Sequence, residues 1–169
     1  MRVAFTVAYE DSPYAGVVRP FVNWSKELGR HNVESTLILT RSKDIEEYLE
    51  AEGIDYQSID DIRDLKTILK EESFDYIFLD DYIRRLKILD IIKRYGNPAV
   101  YVQVLYGSHM VSPAFTPINV KDMVRELLVK TIPFPLLRSR YVKAISKANI
   151  VIANSKTTAT LLYALYGII

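Results

Sequence analysis

Ala148-Asn149-Ile150-Val151-Ile152-Ala153-Asn154-Ser155-Lys156 reads as a buried strand that runs into a helix cap. Residues 150–153 are apolar at every position, which suits a short strand covered on both faces of a parallel sheet. Asn154 and Ser155 follow at once, and either side chain can accept from the free amides of a helix's first turn. Thr160, Leu161, Leu162, Ala164 and Leu165 continue with helical character. A hydroxyl is thereby delivered to the carboxyl end of a strand, the edge where open α/β sheets bind ligands. Gly167 then supplies a helix-ending residue close to the last position, and a boundary between two domains is expected there.

The same alternation extends back to the amino terminus. Apolar runs predict strands at 2–8, 34–40, 55–59, 75–80, 99–105 and 149–153. Helical patterns predict helices at 18–28, 43–51, 61–71, 81–94, 120–130, 137–147 and 156–165. Strands alternating with helices argue for a parallel sheet with helices on both faces. The crossovers should be right-handed. Residues 2–8 should be central, with the strand order reversing beside them.

Residues 106–136 interrupt this rhythm. They contain Gly107 and four of the chain's seven prolines, Pro113, Pro117, Pro133 and Pro135. Irregular insertions of this length are often functional. Val120, Met123, Val124, Leu127 and Leu128 fall on one helical face, and residues 132–137 form an apolar turn. Packing on the domain's own core and docking on a lipid surface both suit that face.

A chain of 169 residues with 49% apolar and 25% charged residues is large enough for one domain with a real core. It has no cysteine, so disulfides and cysteine-based zinc sites are excluded. Two histidines make a histidine-rich metal site a poor fit. No run reaches the roughly 18 apolar residues that a spanning helix requires, and residues 2–8 are too short for a signal-peptide core. A cytoplasmic location is expected, with peripheral attachment to the cytoplasmic membrane face left open. Net charge is +1 but unevenly spread. Residues 1–106 hold 14 basic and 19 acidic side chains, a net −5, whereas residues 107–147 hold 7 and 2, a net +5. A solvated basic face accounts for that segment; so does a surface for an anionic partner.

Four short stretches can carry chemistry. Residues 9–17 join the first strand to the first helix, where main-chain amides and the helix dipole favour a phosphate. Gly16 permits close approach of the backbone to an anion. A single glycine matches neither the dinucleotide fingerprint nor the P-loop, and an ordinary turn explains the stretch as well. Val104-Leu105-Tyr106-Gly107-Ser108-His109 ends the fifth strand, and His109 can bond a substrate hydroxyl or phosphate near neutral pH. A surface histidine is the plainer account. Asp80-Asp81 ends the fourth strand. A carboxylate pair there suits magnesium or acid–base work, and Asp81 also suits a helix cap. A phospho-acceptor receiver domain would place its acid pair after the first strand instead, and the 106–136 insertion fits that class poorly. Asn154-Ser155 is explained by capping or by ligand contact.

Taken together, 148–168 and the start of the chain resemble the N-terminal domain of family 4 glycosyltransferases of the GT-B fold. In that family a stretch of the type ADxVIxxSxxxxxxLxxxYGI leads into the linker to the second domain. Ala148-Asn149-Ile150-Val151-Ile152 through Tyr166-Gly167-Ile168 is similar to it. The family's opening strand, glycine loop and A/SKELxxxGHEV helix are similar to residues 2–8, Tyr14-Ala15-Gly16-Val17 and Ser25-Lys26-Glu27-Leu28-Gly29-Arg30-His31-Asn32-Val33. The resemblance implies a Rossmann-like domain, the acceptor-side half of a retaining enzyme that transfers a sugar from a nucleotide diphosphate-sugar.

By that resemblance, Ala15, Gly16, Val17, Gly107, Asn154 and Ser155 line the donor-phosphate and acceptor side of a cleft. Ala15 replaces the first of the two glycines that family members often carry. Tyr106 stands where many members have histidine, so the catalytic candidates are Tyr106 and His109. Lys130, Phe134, Arg138 and Arg140 form a membrane or acceptor patch. The implied partners are the protein's own C-terminal domain, a nucleotide-sugar donor and a lipid-linked acceptor; no nucleic-acid partner, metal or resident cofactor is expected. The chain alone is expected to be inactive. A sugar-nucleotide epimerase of the same shape and a non-catalytic domain binding an anionic surface are the alternatives.

Overall fold

A computed structural model of the chain describes residues 1–7, 12–14, 17–61, 63–80, 88–102 and 134–168, with 134–138 and 165 described by their backbone alone. Six strands are present: β1 (Arg2–Val7), β2 (Glu34–Thr40), β3 (Tyr56–Ile59), β4 (Tyr76–Asp80), β5 (Asn97–Val102) and β6 (Ile150–Ala153). All pair in parallel, in the order β3-β2-β1-β4-β5-β6. β1 is central and the order turns between β1 and β4, as expected from the sequence. The domain is therefore an α/β, Rossmann-like fold.

Strand periodicity sorts the core into two layers. Val3, Phe5 and Val7 of β1 point to one face, with Leu37 and Leu39 of β2. That face is covered by α1 (Val18–Arg30) through Val18, Phe21 and Val22, and by α2 (Lys43–Glu52) through Ile45 and Leu49. The alternate residues Ala4, Ile38, Ile77, Leu79 and Val100 point to the other face. There they meet α3 (Leu65–Glu71), α4 (Leu89–Ile92) and α5 (Phe134–Ile145). The chain then returns to the same layer through α6 (Lys156–Leu161) and a π-helical turn at Leu162–Tyr166. Tyr141 of α5 is fully buried, its ring centroid 4.9 Å from that of Tyr166.

Local chemistry sets the element ends. Gly53 takes φ 65° after α2, and its N–H and that of Ile54 close on Glu50 and Leu49 carbonyls at 3.1 and 3.0 Å. Gly167 ends the π-helical turn in the same way, at φ 68°. Two helices begin elsewhere than the pattern suggests. α3 starts at Leu65, not 61, because Asp61 and Asp64 bond main-chain N–H groups of Arg63 and Asp61 at 2.8 and 3.0 Å and hold a turn there. α5 starts at Phe134, not 137: Pro135 lies in the first turn, where its missing N–H costs nothing. The expected helix at 120–130, Asp81 and the first half of 81–94 lie outside the described residues. No helix among the described residues is long and apolar enough to cross a membrane.

Candidate functional site at the carboxyl edge of the sheet

Because every strand is parallel, their carboxyl ends share one edge. Val7, Thr40, Ile59, Asp80, Val102 and Ala153 mark it. α1 leaves β1 toward one face, while the helix following β4 packs on the other. The β1/β4 pair is thus the switch point of the strand order, the position at which open α/β sheets bind ligands. The β1–α1 loop and Asp80 flank that point.

At the β1–α1 loop, Val17 is 1% exposed and belongs to the same core layer as Val18 and Phe21. α1 has no side-chain cap and no acid in its first turn; it carries Arg19 there instead. Tyr14 stands out from the loop, 72% exposed. Its N–H donates to Ser12 Oγ at 3.2 Å, and the Arg19 guanidinium carbon lies 4.7 Å from its ring centroid. The sequence reading did not single out this pair. Its available signal was a cation in the first turn of a helix, where the dipole disfavours one.

Asp80 is the last residue of β4, in register with Tyr101 of β5. It is 7% exposed, one of four buried polar side chains among the described residues, with Thr6, Ser25 and Thr40. Thr6 donates to the Phe78 carbonyl at 2.9 Å, tying β1 to β4 just below the edge. A buried acid at a switch point is a binding candidate on grounds of position and desolvation.

Asn154 and Ser155 lie on the same edge, after β6. Ser155 is the N-cap of α6, with φ −156°, and its Oγ accepts from the Thr158 N–H at 3.1 Å. Thr158 Oγ1 donates to Asn154 Oδ1 at 2.5 Å, and Asn154 N–H donates to the Val102 carbonyl at 3.0 Å. Capping therefore accounts for Ser155. β4 and β5 intervene between β1 and β6, so Ser155 sits about 14 Å from the β1 terminus at roughly 4.8 Å per strand. Edge and orientation are shared; contact is not. A shallow cleft of about 590 Å³ adjoins Ser155 and Lys156, floored by Val151, Ala153, Ala159 and Leu162. It lies along β6, away from the switch point.

Ala15, Gly16, Tyr106, Gly107, His109 and Lys130 lie outside the described residues. Phe134 and Arg138 fall in the first half of α5 by backbone. Arg140 and Lys143 are exposed on that helix, whereas Tyr141 and Ile145 of its opposite side enter the core. Lys147 beyond it pairs with Asp90 at 2.5 Å. No family model and no curated protein matches the chain.

Proposed function

We propose that the chain is the acceptor-side half of a retaining glycosyltransferase built on the GT-B fold. The observation that carries this reading is the pair of sequence blocks at 2–33 and 148–168, joined by a sheet in the order β3-β2-β1-β4-β5-β6 with the β1–α1 loop and Ser155 on one edge. In the reaction, the bond from the anomeric carbon to the diphosphate of the donor breaks. A bond from that carbon to an acceptor oxygen forms, the acceptor hydroxyl loses its proton, and the nucleoside diphosphate leaves.

Negative charge develops on the leaving diphosphate, and fixed donors aimed at it lower the barrier. In this proposal the amides around Gly16 and the side chains of Tyr106 and His109 contribute from this half of the cleft. The nucleotide is held mainly by a second domain. The basic, one-sided α5 favours an acceptor on an anionic lipid surface.

The test is to express the continuous reading frame containing this chain and supply it with UDP- and GDP-sugars labelled in the sugar. Label passing to a lipid or soluble acceptor, with the donor's anomeric configuration kept, is the expected result. A frame encoding no second α/β domain, or a two-domain protein that transfers label to no acceptor, overturns the proposal. Salt-sensitive vesicle binding with no transfer would identify an interaction domain.

A further inference from the structure

We infer that Tyr14 and Arg19 form a stacking platform for a pyranose ring beside the β1/β4 switch point. The inference rests on the transferase reading for the identity of the ring as part of the acceptor. Tyr14 is one of the most exposed large apolar side chains among the described residues, at 72%. Its position is nevertheless defined. The turn fixes its main chain through Ser12 Oγ, and the Arg19 guanidinium carbon, 4.7 Å from the centroid, braces one ring face. Among the described residues, only Arg19 stacks on the ring, and the exposed side chain presents its second face outward.

Location makes that face useful. Arg19 belongs to the first turn of α1, which packs on β1, so the platform stands at the carboxyl end of the central strand beside the β1/β4 switch point. The C–H groups of a pyranose carry partial positive charge and are attracted to an aromatic face, whose quadrupole is negative. The guanidinium on the opposite face holds the ring in place and leaves the stacking to the tyrosine. A sugar thus finds an aromatic face whose orientation is already fixed.

The experiment is saturation-transfer-difference NMR on the full chain, with methyl α-D-glucopyranoside, methyl α-D-mannopyranoside and methyl β-D-galactopyranoside as probes. At least one is expected to receive saturation on its ring C–H protons. Tyr14→Ala should lower that signal at least fivefold, Tyr14→Phe should keep it, and Arg19→Ala should lower it about twofold or more. Tyr56→Ala, which removes a tyrosine at the amino end of β3, on the opposite edge of the sheet, should leave it unchanged. Circular dichroism melts establish that each variant is folded. No saturation of any probe by the wild-type chain, or equal signal in wild type and Tyr14→Ala, overturns the inference. Sugar transfer by the two-domain protein without a Tyr14-dependent signal would sink the platform alone. A Tyr14-dependent signal without transfer would leave a sugar-binding site and sink the transferase reading.

Discussion

Gly96 shows how a single residue is constrained by what surrounds it. A Cβ built there would meet the Phe74 carbonyl oxygen at 2.7 Å and Ile77 Cδ1 at 2.9 Å. The carbonyl belongs to the main chain just before β4 and has little room to yield. Gly96→Ala should therefore destabilise the domain by about 1–3 kcal/mol, read as a lower urea midpoint at unchanged slope. Asp61 offers a test of charge. Its carboxylate accepts from the Arg63 side chain at 3.1 and 3.2 Å and from the Arg63 N–H at 2.8 Å. These bonds hold its pKa below the usual aspartate value. Its stabilisation is complete above the unfolded-chain value and is lost as pH falls through the lowered one. An NMR titration should find Asp61 with a midpoint below that of a peptide aspartate, rising toward it in Arg63→Ala. An unchanged midpoint in that variant would contradict the assignment.

At the scale of elements, α6 and α5 carry separate tests. Ser155 supplies the side-chain cap of α6, and the turn that follows carries Leu162 and Tyr166 into the core. Ser155→Ala should cost about 1 kcal/mol, a fall of roughly 2–4 °C in Tm for a chain of this length. A fall much beyond that would mean Ser155 does more than cap. α5 has no acidic residue, exposes Arg140 and Lys143, and buries Tyr141 and Ile145. Basic side chains beside an anionic leaflet contribute roughly 1 kcal/mol each. Co-sedimentation should show binding to anionic vesicles that weakens with salt, fails with neutral vesicles, and is abolished by Arg138→Glu with Arg140→Glu. Protein left in the supernatant with anionic vesicles would point to a soluble acceptor.

For the molecule as a whole, the two-domain proposal requires that this chain by itself hold a nucleotide-sugar poorly. The chain alone is expected to show no saturable binding of UDP- or GDP-sugars at millimolar concentration by calorimetry, and micromolar affinity would contradict the two-domain proposal. The strand set and the central place of β1 were legible in the chain itself. Apolar positions within 2–7, 34–40, 76–80 and 150–153 mark the strands, and the helical stretches between them require crossovers to parallel neighbours. Burial on both faces was not met at 150–153, because β6 is an edge strand whose residues are only partly buried and whose Ile150 is exposed. The cap at Ser155 was legible for the same reason, since it depends on a bond three residues away. Other features turned on polar contacts that no apolar pattern announces. The start of α3 was decided by side chains of Asp61 and Asp64 competing for main-chain amides. The burial of Asp80 and Thr6 follows from β1 pairing with β4 across some seventy residues of chain. The separation of Ser155 from the β1–α1 loop follows from β4 and β5 standing between them. The sequence by itself determined which residues are strands and which faces are apolar, because both are periodic and local. Only the tertiary structure decided which polar groups meet at the carboxyl edge, because strand order and register bring together residues that no local pattern connects.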